Sequence, residues 1–75
     1  MARPAKRLFI CLDNPGYEVS LERLKIYVGL PDPKAERTGY LRIVDESGQD
    51  YLYPSQRFIA ADLPVSTRRA VLQAT

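Results

Sequence analysis

The apolar residues of this chain lie in short stretches, and proline or glycine separates most of them. The longest uninterrupted apolar run, Leu8 to Leu12, contains five residues. A run of this length is typical of a buried strand, whereas a globular helix usually needs about ten residues or more. The pattern therefore predicts one small, mainly β domain. We expect a compact barrel or roll of about five short antiparallel strands, followed by a short C-terminal helix.

The chain has few means of stabilising itself other than packing. A domain of 75 residues buries only about 60 to 65% of the surface that its unfolded chain exposes. Cys11 is the only cysteine and histidine is absent, so an intramolecular disulfide is impossible. A structural zinc site is close to excluded, because such sites draw their ligands mostly from Cys and His. The sequence predicts neither a metal nor a cofactor.

The segment from residue 20 to 30 has two interpretations. One is a helix capped by Ser20, with apolar residues at helical spacing. The other is a strand from about residue 23 to 30, in which apolar residues alternate with more polar ones. The alternating residues are Leu24, Ile26, Val28 and Leu30. We favour the strand, which a helical turn could precede.

Turn signals divide the rest of the chain. Pro15 and Gly16 predict a type II turn, because proline fixes φ at the first central position and glycine supplies positive φ at the second. Residues 31–39 are polar, with two prolines near the start and a glycine at the end, and predict an exposed loop. Residues 40–44 and 51–53 then predict an antiparallel hairpin around a turn at residues 45–50.

After the hairpin, Pro54 interrupts the strand pattern because proline cannot donate to a ladder. We expect a 3₁₀ turn over residues 54–57 and a last strand over residues 58–61. Residues 66–74 are rich in Arg, Ala, Leu and Gln and predict a short helix, with Asp62 as its candidate cap.

The chain divides into three predicted parts: a flexible basic tail over residues 1–7, the β domain over residues 8–62, and the helical segment over residues 63–75. The formal charge of +2 is unevenly distributed. The β domain carries six basic and nine acidic side chains and is therefore net −3. A body of that sign repels phosphate backbones. The ends of the chain supply five cations: Arg3, Lys6, Arg7, Arg68 and Arg69.

The sequence predicts neither export nor a membrane span. The apolar stretch after the basic N-terminus is too short for the core of a signal peptide. No segment approaches the eighteen or so apolar residues of a membrane-spanning helix. With one thiol and no export signal, we expect a cytoplasmic protein that does not associate with membranes.

The segment Gly48–Ser55 resembles the end of an SH3 domain, where a turn glycine leads through an aromatic strand into Pro-Ser and the closing strand. The wider pattern from Cys11 to Phe58 is similar to a group of small uncharacterised bacterial proteins with an SH3-like barrel. This resemblance implies a fold and no function. The residues that carry it are Cys11, Asn14, Gly16, Tyr17, Ser20, Leu21, Lys25, Ile26, Tyr27, Leu30, Pro31, Asp32, Asp45, Glu46, Ser47, Gly48, Asp50, Tyr51, Leu52, Tyr53 and Pro54.

Two departures from the SH3 pattern bear on function. SH3 domains bind polyproline ligands on an aromatic groove centred on a tryptophan, and this chain contains no tryptophan. Arg57 stands where the SH3 signature has a ligand-contacting tyrosine, although Pro54 is retained. The resemblance therefore does not imply recognition of proline-rich peptides by the usual route.

The tyrosines form the candidate binding surface. Tyr51 and Tyr53 share one face of their strand by period-2 alternation, and we expect Tyr40 on the partner strand to lie near them, with Arg42 interleaved. If this face is exposed, the cluster is a binding patch. If the C-terminal helix covers it, the tyrosines are core residues, which is the favoured interpretation because a small barrel needs every large side chain to fill itself. The complete candidate surface is Tyr40, Arg42, Tyr51, Tyr53, Pro54 and Arg57.

No residue constellation predicts catalysis. Cys11 lies in an apolar strand of a chain without histidine, and a small core hydrophobe is favoured over a nucleophile. Asp45, Glu46 and Asp50 lack the ligand spacing of a calcium loop. A solvated hairpin tip that blocks edge pairing is the favoured interpretation of these carboxylates. We therefore expect no enzymatic activity.

Two functions follow from these patterns. The first is a non-catalytic protein-interaction module that offers a tyrosine face or a strand edge to another protein, with a monomer or weak homodimer as its own state. The second is a small barrel that stacks single-stranded nucleic acid on aromatic rings bordered by cations. The acidic body argues against the second. Its candidate cations are Lys25, Arg42, Arg57, Arg3, Lys6 and Arg7.

Overall fold

Five antiparallel strands form one sheet, which curls into a half-barrel in the order β4-β3-β2-β1-β5. The computed structural model describes residues 6–74. The prediction of a mainly β domain with a short C-terminal helix is confirmed. The elements are β1 (Arg7–Cys11), β2 (Ile26–Leu30), α1 (Pro33–Arg37), β3 (Tyr40–Val44), β4 (Asp50–Pro54), a 3₁₀ turn (Ser55–Arg57), β5 (Phe58–Ala60) and α2 (Val65–Ala74).

The core lies on the inner face of the curled sheet. Alternate residues of each strand point to this face, because successive side chains of a strand point to opposite sides. Leu21, from the long connection between β1 and β2, is buried with them at 1% exposure. The core cluster consists of Phe9, Cys11, Leu21, Tyr27, Ile43, Tyr53 and Phe58.

The connection between β1 and β2 contains the predicted type II turn and no helix. Gly16 has φ of +88°, and the N–H of Tyr17 donates a 2.8 Å hydrogen bond to the carbonyl of Asn14, as this turn requires. The helical interpretation of residues 20–30 is wrong. The strand begins at Ile26 and not near residue 23, because Leu24 adopts φ of +66° and its N–H bonds the Cys11 carbonyl. A left-handed residue cannot continue a strand.

The expected loop over residues 31–39 contains a helical turn, α1. Asp32 caps this turn, since its Oδ1 accepts a 3.1 Å hydrogen bond from the N–H of Ala35. Pro33 occupies the first helical position, where its missing N–H has no cost. Glu36 reaches back and accepts from the N–H of Asp32. The turn packs against β3 and buries Ala35.

The β3–β4 hairpin is present as predicted, and β4 runs from Asp50 to Pro54. Pro54 is thus the last residue of the strand and does not interrupt the ladder before it. The expected 3₁₀ turn spans Ser55–Arg57, and the last strand, Phe58–Ala60, is one residue shorter than expected.

The predicted C-terminal helix is confirmed and begins at Val65. Asp62 does not cap it: the residue before the helix is Pro64, whose carbonyl accepts a 2.9 Å hydrogen bond from the N–H of Arg68. The Arg68 side chain donates to the carbonyl of Lys6, so α2 lies beside the start of β1. None of the residues of α2 that the structure describes is buried. Among residues 6–74, neither helix has the length and apolar character needed to cross a lipid bilayer.

The proposed basic tail lies mostly outside the described residues, which begin at Lys6. Arg7 was assigned to that tail, but it is the first residue of β1. Its guanidinium lies 4.8 Å from the centre of the Phe9 ring and donates a 3.3 Å hydrogen bond to Glu36 of α1. Arg7 therefore connects the sheet to α1.

Candidate interaction surface at the β4 edge

The strand register divides the candidate binding residues between two faces of the sheet. Tyr53 lies opposite Leu41, and Tyr51 lies opposite the fully buried Ile43, so both tyrosines point to the inner face. Tyr40 lies opposite Pro54 and therefore points to the outer face. The expectation that Tyr40 and the other two tyrosines share a surface is thus not met.

Tyr53 is a core residue at 5% exposure. Its ring packs edge-on against Tyr17 at a centroid distance of 5.1 Å and against Phe58 at 6.3 Å. Its hydroxyl donates a 2.7 Å hydrogen bond to Asp45. Burial raises the pKa of this tyrosine. Tyr53 is therefore unavailable to a partner, and Tyr51 is the half-exposed member of the pair.

Arg42 and Leu52 lie opposite each other on the outer face. The pair Tyr40 and Pro54 lies next to them on one side along the strands, and Asp50 lies on the other side. Leu52 is 45% exposed and Tyr40 is 43% exposed. Sequence reasoning missed Leu52, although its place between two inward-pointing tyrosines implies an outward side chain. Tyr40, Arg42, Leu52 and Pro54, together with the free edge of β4, are called the β4 edge patch below.

Ion pairs with two carboxylates hold Arg42 in place. Its Nε donates a 2.9 Å hydrogen bond to Asp32, and its Nη1 donates another of 2.9 Å to Asp50. The N–H of Ala35 and the guanidinium together lower the pKa of Asp32. Asp50 is the only charged residue of β4, and Arg42 shares its charge between Asp50 and Asp32.

Arg57 lies away from this patch, over the ring of Tyr17, with 5.4 Å between its guanidinium carbon and the ring centre. Its Nη1 donates a 2.8 Å hydrogen bond to Asp13, and its carbonyl accepts from the N–H of Leu12. Arg57 thus joins the 3₁₀ turn to the β1–β2 connection and covers Tyr17. It does not belong to the same surface as Tyr40 and Arg42.

The hairpin tip is more ordered than the expected solvated turn. Asp45 is buried at 7% exposure and accepts hydrogen bonds from Ser47 and Tyr53. Burial acts to raise the pKa of Asp45, but these hydrogen bonds outweigh it and hold the pKa below its ordinary value. Asp45 therefore serves to anchor the turn.

The next residue, Glu46, ties the hairpin to the β1–β2 connection. It accepts hydrogen bonds of 2.7 and 2.9 Å from Lys25 and another from the hydroxyl of Tyr27. The Lys25 ammonium is the main cause of the lowered pKa of Glu46. Burial and this carboxylate raise the pKa of Tyr27. Lys25, one of the candidate cations for nucleic-acid binding, thus joins the β1–β2 connection to the hairpin turn through Glu46.

The alternation of hydrogen bonds along the hairpin shows which backbone groups of β4 face away from β3. At one end of the hairpin, the N–H of Asp45 donates a 3.0 Å hydrogen bond to the carbonyl of Gln49. At the other end, the N–H of Ser55 donates a 2.9 Å hydrogen bond to the carbonyl of Gly39. In an antiparallel ladder, hydrogen-bonded pairs of residues alternate with non-hydrogen-bonded pairs. The backbone N–H and carbonyl groups of Tyr51 and Tyr53 therefore bond to β3. The N–H and carbonyl groups of Asp50 and Leu52 therefore point to the free edge.

Pro54 occupies the next outward position, where its missing N–H removes no bond to β3. Its carbonyl still faces the edge. Among the described residues, β3 is the only strand that pairs with β4. The β4 edge patch thus combines unpaired backbone groups with two exposed apolar side chains.

Cys11 is fully buried, and burial raises the pKa of its thiol. Within residues 6–74, no three metal-ligating side chains are placed to hold a metal ion. Comparison with models of protein families, with curated proteins and with solved structures finds no match for this chain. Function must therefore be inferred from the surface itself.

Proposed function

We propose that this chain is a non-catalytic protein-interaction module that binds an extended segment of a protein partner along β4. The observation that carries this proposal is the position of Leu52. Its N–H and carbonyl point to a free sheet edge, and its side chain lies exposed beside Tyr40 on the outer face. A strand added at this edge gains main-chain hydrogen bonds and lies against the Leu52 side chain.

Strand β4 suits this role better than the other edge strand. It has five residues, whereas β5 has three. Lysine commonly protects a sheet edge, and neither edge strand contains one, so the difference between the two edges is their length. The one charged residue of β4, Asp50, pairs with Arg42. Pro54 limits pairing at only one end, so the centre of the edge is open to a partner.

Several features support the SH3-like resemblance as part of this proposal. The chain has a long connection after β1, a hairpin and a 3₁₀ turn directly before β5, as expected for such a barrel. Binding of proline-rich peptides is not part of the proposal. The guanidinium of Arg57 covers the ring of Tyr17 and is held there by Asp13.

Nucleic-acid binding is the weaker alternative, because carboxylates already pair with four of its six candidate cations. Lys25 pairs with Glu46 at 2.7 Å, and Arg57 pairs with Asp13 at 2.8 Å. Arg42 bonds two carboxylates. Phosphate would have to displace these partners on a body that is net negative. This arrangement favours a protein ligand.

Matched variants on the two sheet edges test the proposal. Leu52→Lys places a charge on the β4 edge patch, and Ile59→Lys makes a comparable change at a 54% exposed position of β5. Each protein is immobilised and used to capture proteins from a lysate, and the contact is then mapped by chemical cross-linking. We expect the wild type and Ile59→Lys to capture the same protein and Leu52→Lys to lose it. Equal capture by all three, or cross-links confined to other surfaces, would refute the proposal.

A further inference from the structure

We infer that the strand that β4 accepts is β4 of a second copy of this chain, aligned antiparallel about a two-fold axis at Leu52. This inference rests on the proposed function and identifies its partner. It is carried by the outward backbone groups of β4, by the order of its side chains and by its charge.

The outward backbone groups are self-complementary. With Leu52 on the axis, each copy donates its Leu52 N–H to the Leu52 carbonyl of the other, which gives two hydrogen bonds. Asp50 then lies opposite Pro54 of the second copy. The N–H of Asp50 in each copy donates to the Pro54 carbonyl of the other. Pro54 accepts a hydrogen bond through its carbonyl but has no N–H to donate in return. The carbonyl of Asp50 in each copy therefore has no partner across the axis and faces solvent. The pairing therefore uses every outward N–H of the strand.

The side chains also match in this register. On the outer face, Leu52 meets its own copy at the axis, so the exposed apolar surface of each is covered. On the inner face, the half-exposed Tyr51 lies opposite Tyr53 of the second copy. Leu52 also borders a groove of about 250 Å³ beside the axis, and the other residues that line it are Asp32, Lys34, Ala35, Thr38 and Arg42. The second copy's leucine lies next to this groove.

This register brings no two like charges of β4 opposite each other. Asp50 is the only charged residue of β4, and this register places it opposite a proline instead of a second carboxylate. Asp50 pairs with Arg42 within each copy, at 2.9 Å. Like charges opposite each other would destabilise a strand pair, and here none meet.

The interface is small, so the dimer is weak. Two five-residue strands with one flanking side chain each bury less than the 1,200 to 2,000 Å² that is roughly typical of stable complexes. We therefore expect a reversible dimer that forms at micromolar concentrations or above, in which monomer and dimer exchange.

Sedimentation equilibrium over a concentration series tests the inference on wild type, Leu52→Lys and Ile59→Lys. We expect a monomer–dimer equilibrium for the wild type and for Ile59→Lys, and a dissociation constant at least about tenfold higher for Leu52→Lys, because two ammonium groups would meet at the axis. A mixed sample of isotope-labelled and unlabelled protein should show an intermolecular contact between the α-protons of Tyr51 and Tyr53. Folding of each variant is checked by circular dichroism.

The outcomes separate this inference from the proposed function. A wild type that stays monomeric at millimolar concentration, or a dimer that Ile59→Lys abolishes and Leu52→Lys does not, overturns the second copy as partner. If the monomeric wild type still captures a different protein that Leu52→Lys loses, the edge binds another strand and the proposed function stands. If neither self-association nor capture depends on Leu52, both fail.

Discussion

The hydroxyl of Tyr53 donates a 2.7 Å hydrogen bond to the carboxylate of Asp45, and both side chains are buried. This bond joins the inner face of β4 to the turn that connects it to β3. It explains why a tyrosine, and not a phenylalanine, occupies this core position: a buried carboxylate needs donors, and Tyr53 supplies one beside Ser47.

Removing this hydroxyl should destabilise the domain. We expect Tyr53→Phe to lower the free energy of unfolding by about 1 to 3 kcal/mol, because a buried acceptor loses its partner. Tyr51→Phe is the matched control, since its hydroxyl bonds the exposed Gln49, and it should change stability by less than about 0.5 kcal/mol. Urea unfolding of both variants measures the difference. Equal effects would mean that the Asp45 bond contributes nothing.

Stability should also fall in acid. Hydrogen bonds hold the pKa of Asp45 below its ordinary value despite burial, and the pKa values of Asp32 and Glu46 are lowered as well. A carboxyl whose folded pKa is depressed stabilises the fold above its unfolded pKa, which is about 3.9 for Asp and 4.3 for Glu. That contribution is lost as the pH falls through the folded pKa.

We therefore expect the free energy of unfolding to decrease steadily below about pH 4.5 and to change little above it up to neutrality. Urea unfolding at a series of pH values gives this profile. The Asp45→Asn variant should show a shallower decrease than the wild type, because one of the titrating groups is gone. Identical slopes would show that Asp45 titrates as it does in the unfolded chain.

Gly29 lies so close to the ring of Phe9 that a larger residue would not fit there. A Cβ atom there would overlap the ring of Phe9, which lies on the neighbouring strand. We expect Gly29→Ala to cost about 1 to 3 kcal/mol of stability through overpacking. The double variant with Phe9→Leu should lose less stability than the sum of the two single changes, as thermal unfolding of the wild type, both single variants and the double variant would show. Strictly additive effects would argue against the contact.

Cys11 should react slowly in the folded protein. Its side chain has no exposed surface, and burial raises the pKa of the thiol. We expect alkylation by iodoacetamide near neutral pH to be much slower in buffer than in denaturing urea. Mass spectrometry follows the modification over time. Similar rates in the two conditions would contradict the burial of this residue.

The strand content was predictable because the apolar stretches are short and regularly interrupted. The hairpin and the turn at Gly16 carry residues whose backbone preferences are local. The polar residues, the two prolines and the glycine of residues 31–39 indicate a loop, although Asp32, Pro33 and Glu36 together form the start pattern of the helical turn α1. The start of β2 could not be placed, because the positive φ of Leu24 follows from its bond to Cys11 on a distant part of the chain.

The candidate site was predicted only in part. Alternation correctly placed Tyr51 and Tyr53 on one face, but the face of Tyr40 depends on the register of the hairpin. The turn pairs Val44 with Asp50, which puts Tyr40 opposite Pro54 and on the other side of the sheet. A one-residue change in the register of the two strands would move every side chain of one strand to the other face. The face of Tyr40 relative to Tyr51 and Tyr53 therefore could not be derived from the sequence pattern alone. The outward face of Leu52, in contrast, follows from alternation within β4 and needs no register.

Amide hydrogen exchange at Leu52, measured at low and high protein concentration, tests the β4 edge most directly. The N–H of Leu52 should exchange rapidly in dilute protein, because it faces the free edge, while those of Tyr51 and Tyr53 are protected by bonds to β3. At high concentration, Leu52 should become protected and the two tyrosines should change little. Protection of Leu52 that is already complete in dilute, monomeric protein, or exchange that stays rapid at every concentration, would contradict β4 as the open, self-pairing edge.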